Sequence, residues 1–316
     1  MTPRDLIVSN LSMIALAVLW GTMIPSLVVL LEIWDAYFLG MIRYVLAIPP
    51  FLLLLLIVER RIWLPTSVSI GRIFMLGFIG YGVYSTIFTL GIAFSHPITA
   101  VILMSAAPVV GTAVGRIFFG IPIERRLLPA IVLAVVGAAL ATYDPAATGI
   151  PFALTGGELL LIGAMGCWNW YSLAAQRWLS GMSQLRITAL TVIAGGTILA
   201  VIYVGAAAVG ITDFPPAAPR DGSDLLIMAW IICGCILGGV VLWHWGVKKF
   251  GIVVPNLYMN LTPAVAIGLS AAIGYVPTTM QLIGGALVIG GILASQLTHL
   301  VGSKQAQSTQ STGDPA

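Results

Sequence analysis

Two tryptophans pose the first chemical question. Trp20 falls near the middle of an apolar run over 6–31, and Trp168 near the middle of another over 156–179, so their indoles could form facing walls of one cavity. An indole offers a flat face and one N–H donor, which suits aromatic or cationic metabolites at about 0.5–2 kcal/mol per cation–π contact. The competing reading is packing at a helix crossing, the commoner use of a large aromatic. The second indole sits in Trp168-Asn169-Trp170-Tyr171, where the Asn169 amide needs a partner that a substrate would supply and Tyr171 adds a hydroxyl.

Pro108 and Pro263 also lie near mid-depth of apolar runs, and each removes a backbone donor to the carbonyl four residues earlier, at Met104 and Met259. Freed carbonyls and a bend suit a hinge or binding site; a static kink relieved by nearby Ser or Thr is the alternative. Ser105 and Asn260 are their polar neighbours. Tyr81 and Tyr84, three apart on one helix face and close to Ser85, would add hydroxyl handles or simply pack. Arg43 follows Asp35 by eight residues and is therefore about 12 Å deeper at 1.5 Å per residue. An unpaired charge there costs at least ~2.5 kcal/mol, so it must snorkel, pair, or hold an anionic group such as a substrate carboxylate.

Other chemistries lack their residues. There is no His-Glu-x-x-His and no pair of intramembrane acids, so an enzyme is not expected; no Walker motif points to ATP, and nothing calls for a metal or cofactor. Cys167, Cys233 and Cys235 lie inside apolar runs, where they read as packing residues. Trp243-His244-Trp245, beside Lys248 and Lys249, reads as an interfacial belt.

The elements that must position these residues are membrane helices. Of 316 residues, 59% are hydrophobic and 8% charged, against about 25% charged in a soluble domain. Apolar runs at 6–31, 36–58, 70–95, 98–120, 127–143, 156–179, 184–210, 224–250, 253–274 and 278–300 meet the length of roughly 20 residues needed per crossing. The expected fold is an all-α integral membrane protein of ten transmembrane helices. The first run is too long for a signal-peptide core and is read as a retained helix.

The net charge of +3 is distributed by loop, not gathered into a nucleic-acid patch. With the N-terminus inside, Arg4, Arg60, Arg61, Arg72, Arg116, Arg125, Arg126, Arg177, Arg186, Lys248, Lys249 and Lys304 fall on the inner side, twelve of the 14 basic residues. The expected location is the cell inner membrane, multi-pass, with both termini cytoplasmic. Lipid and a small-molecule substrate are the expected partners, with no nucleic acid, for a monomer or a homodimer.

Internal repetition organises the helices. Leu103-Met104-Ser105-Ala106-Ala107-Pro108 resembles Tyr258-Met259-Asn260-Leu261-Thr262-Pro263 at an offset of 263 − 108 = 155, and Gly91 falls on Gly246 at the same offset. Trp20-Gly21 matches Trp168-Asn169 at 148. Residues 1–145 then form one five-helix repeat and 146–302 a second, inverted one, since an odd helix number reverses the copy in the membrane. Residues 303–316 are polar and low in complexity, as a disordered inner tail would be.

Ala17-Val18-Leu19-Trp20-Gly21, Ile42-Arg43-Tyr44-Val45-Leu46-Ala47, Ser105-Ala106-Ala107-Pro108 with Glu124-Arg125, Asn260-Leu261-Thr262-Pro263, and Gln281-Leu282-Ile283-Gly284-Gly285-Ala286-Leu287 resemble the EamA-type, ten-helix branch of the drug/metabolite transporter superfamily. The likeness runs through nearly the whole chain. It implies a secondary transporter of small organic metabolites, with amino-acid or amphiphilic export foremost. Uptake or exchange of a cationic or nucleoside-like metabolite is the alternative, and a membrane receptor or scaffold the rival of another class. Tyr275-Val276-Pro277-Thr278-Thr279 departs from the acidic residue that relatives often carry before the last helix. There is also no midplane carboxylate of the kind that small multidrug antiporters use for proton exchange.

Overall fold

The computed structural model describes residues 3–60, 69–105, 107–122, 128–142, 156–250, 258, 261–287 and 289–291. All regular structure among them is helical. Five continuous helical stretches there are long and apolar enough to cross a bilayer: Asn10–Leu30, Ala36–Glu59, Ile70–Ala93, Gln184–Ala208 and Gly222–Trp243. Helix α1 (Pro3–Gly21) runs on into α2 (Met23–Leu30). Asp35 starts α3 (Ala36–Val45) by accepting from the backbone N–H groups of Tyr37 and Phe38. The break before α4 (Ile48–Glu59) precedes Pro49 and Pro50, whose missing donors fit only a first turn.

The third crossing is α5 (Ile70–Gly77), a π segment π1 (Phe78–Val83) and α6 (Tyr84–Ala93). A second π segment, π2 (Trp230–Gly238), lies between α12 (Gly222–Ala229) and α13 (Gly239–Phe250). Both are glycine-rich, and the wider turn moves carbonyls out of the α-helical ladder, as at many functional sites. Helix α7 (Pro97–Ser105) continues to α8 (Ala107–Phe119) through a 52° bend between Met104 and Val109, the stretch that holds Pro108. Helix α9 (Leu128–Thr142) follows.

Helix α10 (Gly157–Trp178) is one continuous helix of 22 residues whose apolar sequence is diluted by Trp168-Asn169-Trp170-Tyr171 and by Gln176 and Arg177 in its last turn. It tolerates that polarity by packing on α6, π1 and α8. Helix α11 (Gln184–Ala208) packs on α3, α5 and π1. Helix α14 (Thr262–Ala272) carries Pro263 in its first turn. A last apolar helix, α15, covers Thr279–Gly291. Thr278 and Gln281 begin it as a capping box: the Gln281 side-chain oxygen accepts from the Thr278 N–H at 3.0 Å and the Thr278 hydroxyl from the Gln281 N–H at 3.2 Å. This neutral pair supplies the start of the helix.

Packing is reciprocal between the parts of the chain. Helix α1 lies against α13 and α14, much as α10 lies against α6 and α8. Close approach depends on glycine. A Cβ on Gly21 would strike Val265 and the Thr262 carbonyl, and one on Gly111 would strike the Asn169 amide.

Candidate functional site

Arg43 organises the interior. Helix α3 delivers it to the face of α6, where its side chain is 0% exposed, so it does not snorkel. Nη2 donates to Ser85 Oγ at 2.9 Å and to Thr89 Oγ1 at 3.1 Å. Those hydroxyls share one helix face through their four-residue spacing. Each hydroxyl passes its own proton on: Ser85 donates to the Gly40 carbonyl at 2.9 Å, and Thr89 to the Ser85 carbonyl at 2.8 Å. The guanidinium carbon stands 5.0 Å from the Tyr44 ring centre and 5.4 Å from that of Phe88. Nε and Nη1 are buried without any hydrogen-bond partner.

Hydroxyls and rings stabilise a guanidinium but do not neutralise it. Among the described residues the other buried charged side chains are Glu158 and Asp224. Both sit in the first turns of their helices: Glu158 accepts from the Gly156 N–H, and Asp224 from Arg220. The interior around Arg43 is therefore a positively charged, largely aromatic environment.

The aromatic wall begins beside it. Tyr84 stacks on Phe88 at 5.3 Å between ring centres and meets Trp168 at 5.2 Å. Tyr81, on π1, touches Tyr44 at 5.2 Å, Tyr171 at 5.3 Å and Trp168 at 6.2 Å. A hydroxyl chain runs through the same cluster, with Tyr81 Oη 3.4 Å from Tyr171 Oη and the latter 3.0 Å from Thr191 Oγ1. The sheer size of these rings is accommodated by glycine, because Gly80 of π1 receives the base of the Tyr171 ring and Gly195 of α11 receives that of Tyr81.

Thus Arg43, Tyr81, Tyr84, Trp168 and Tyr171 come together. Trp20 does not join them. Its Nε1–H donates to the Cys235 carbonyl of π2 at 2.9 Å, its ring stacks on Trp243 at 5.6 Å, and it fills the space beside Gly239. Trp20→Phe should keep the stacking but lose that hydrogen bond, lowering stability in a thermal melt by about 1 kcal/mol; an unchanged melt would mean that the bond contributes nothing. Asn169 donates to the Met165 carbonyl of its own helix at 2.9 Å and packs on Gly111. Pro263 is buried in the first turn of α14. Ser105 and Pro108 are described by their backbone alone, at the 52° bend or beside it, and Asn260 lies outside the described residues.

Tyr44, Phe88, Thr89 and Thr191 were not among the residues expected from sequence. The available signal was spacing: Ser85 with Thr89 and Tyr84 with Phe88 are i,i+4 pairs on α6.

Ties close both ends. At one, Arg220 bonds Glu32 at 2.9 Å and Asp224 at 3.0 Å, and these carboxylates, Asp224 foremost, hold its guanidinium above the ordinary range. Trp34 there donates to the Ala217 carbonyl at 2.7 Å. A cavity of about 190 Å³ lies at this end between Glu32, Ser95, Pro97 and Tyr275. Nearby, burial pushes the His96 imidazole below its usual range, next to Gln281 at 3.4 Å. At the other end Glu59 of α4 bonds Arg186 of α11 at 2.5 Å and accepts from the Ser183 hydroxyl.

The model of the EamA-like transporter family matches this sequence twice, over residues 8–143 and 155–296. The chain belongs to that family. Similar proteins include the uncharacterized transporter YyaM of Bacillus subtilis (strain 168), 24% identical over 223 residues that cover 70% of this chain and 71% of YyaM. The uncharacterized transporter YrdR of the same organism is 22% identical and aligns over 94% of each chain. A crystal structure of a protein 16% identical in sequence superposes with a TM-score of 0.64 over 93% of this chain and 97% of its own, a likeness of fold. Family and apolar helices together make this a multi-pass membrane transporter.

Proposed function

We propose that this transporter moves a small organic metabolite, an amino acid or related amphiphilic compound, by alternating access. Two inverted halves, residues 1–145 and 146–302, rock about a central site. It works as an exporter in the inner membrane, with both termini cytoplasmic. The observation that carries the reading is the Arg43 cluster, a buried polar and aromatic site assembled from α3, π1 and α6 of the first half and α10 and α11 of the second. Intramembrane charge is costly and is retained where it functions.

Three further features support it. The halves are tied to each other at both ends, by Glu59 with Arg186 and by Glu32 with Arg220, which suits gates that open in turn. The exchanged packing of α1 and α10 fits the offsets in sequence and the double family match. The two π segments occupy corresponding crossings, α5–α6 and α12–α13, where local re-registration gives a helix freedom to move.

Counterflow tests the reading. Purified protein in liposomes, preloaded with unlabelled metabolite, should take up labelled metabolite transiently above equilibrium, and Arg186→Glu should change its rate. Absence of counterflow for every amino acid and amphiphile offered would sink the proposal.

A further inference from the structure

We infer that the cargo of this site is an organic monoanion, a carboxylate or sulfonate with an aromatic or apolar body, and that Arg43 Nε and Nη1 are its anion-binding donors. The inference rests on the transport reading above and, within its amphiphilic compounds, favours anions over zwitterionic amino acids. A buried guanidinium is normally neutralised by a carboxylate that fills its donors, since an unpaired buried charge costs several kcal/mol. Here Nη2 is held by two neutral hydroxyls, while Nε–H and Nη1–H stay buried with no acceptor. Ser85 and Thr89 already donate to carbonyls. They therefore fix the guanidinium in place and cannot neutralise it.

Among the described residues no acid bonds the Arg43 guanidinium. The buried carboxylates among the described residues, Glu158 and Asp224, are engaged in the first turns of α10 and α12. The surroundings of Arg43 are instead rings and hydroxyls: Tyr44 and Phe88 lie against the guanidinium, Tyr84 and Trp168 follow from Phe88, and the Tyr81–Tyr171–Thr191 chain follows from Tyr44. An anion entering this environment cancels the one buried charge there. A cation would double it. A zwitterion would bring its ammonium group beside a guanidinium with no carboxylate to receive it. Electrostatics therefore ranks the three as anion, zwitterion, cation.

A matched set of ligands separates the possibilities. Phenylacetate, phenylalanine and phenethylamine share one ring and differ in charge. Added at equal concentration to the purified full-length protein, phenylacetate should raise the thermal midpoint, with phenylalanine and phenethylamine giving little or no shift. Arg43→Gln should weaken phenylacetate binding about ten- to hundred-fold, the usual effect of losing charge-assisted hydrogen bonds, and Arg43→Lys should weaken it less. Because Arg43→Gln perturbs a buried network and can fail to fold, the ligand ranking of the unmodified protein stands as an independent test.

Equal or greater stabilisation by phenylalanine or phenethylamine overturns the charge assignment and leaves the transporter reading intact. So does equal phenylacetate affinity in a folded Arg43→Gln variant. If none of the three shifts the midpoint, the inference is overturned as well, and counterflow with other solutes then decides separately whether the site transports.

Discussion

Gly80→Val should abolish counterflow and destabilise the folded chain by about 2–3 kcal/mol, and Tyr171→Ala should cost less beside Gly80→Val than it does alone. Gly80 lies in π1 where any Cβ would occupy the space of the Tyr171 Cβ, Cγ and Cδ2 atoms. Overpacking a filled interface costs roughly 1–3 kcal/mol, and valine adds three carbons there. Removing the Tyr171 ring vacates the space of Cγ and Cδ2, the two nearer atoms, and leaves Cβ, so the two changes should couple favourably in a double-mutant cycle. Gly195→Val makes the contrast. Its Cβ would meet the Gly77 carbonyl as well as Tyr81, and a backbone atom has no rotamer through which to yield. Tyr81→Ala should therefore couple to it more weakly. Gly166→Ala, which meets nothing within 4 Å, is the control that should leave both melt and flux near those of the unmodified protein. Thermal midpoints in detergent and initial counterflow rates measure all of these. A Gly80→Val protein that melts normally would show that π1 and α10 do not pack as described.

The crossings were legible because lipid imposes a length. Apolar runs near Ala36–Glu59, Ile70–Ala93 and Gln184–Ala208 declare themselves without any knowledge of partners. Helix α10 was read in the same way, as the apolar run over 156–179; what the run did not tell is that the polar Trp168-Asn169-Trp170-Tyr171 stretch is shielded by α6, π1 and α8. The burden on Arg43 was also readable from depth alone, though not its solution. Snorkelling, pairing and ligand binding all satisfied the sequence. Burial by α6 and the Ser85 and Thr89 hydroxyls excludes the first and leaves the charge itself unneutralised.

Helix rotation was not legible. In a soluble helix the apolar stripe points to the core, but in a bilayer both lipid and interior are apolar, so periodicity loses its meaning. The matched depths of Trp20 and Trp168 suggested facing walls, yet Trp20 serves the π2 carbonyl of Cys235 whereas Trp168 joins the tyrosine cluster. The π segments were hidden for a related reason. A one-residue widening depends on what the freed carbonyl and the wedged ring find across the interface, and neither partner is local in sequence.

An anionic cargo makes the membrane potential itself a source of work. Moving one elementary charge through 100 mV is worth about 2.3 kcal/mol, so an inside-negative potential of that size should sustain a roughly 50-fold excess of monoanion on the positive side at equilibrium. The net charge carried per cycle equals that of the substrate, whether the field acts on the loaded site or on Arg43 as the empty site returns. This gives outward transport a driving force without an embedded proton-carrying acid. The measurement uses liposomes holding a potassium gradient with valinomycin, and 2-phenylethanesulfonate, which stays charged and does not leak as a neutral acid. Net flux should follow the sign of the imposed potential. One-for-one exchange moves no net charge, so its equilibrium should not respond. Net flux that ignores the potential but follows a pH gradient would mean that a proton travels with the anion, and the cycle would then be electroneutral.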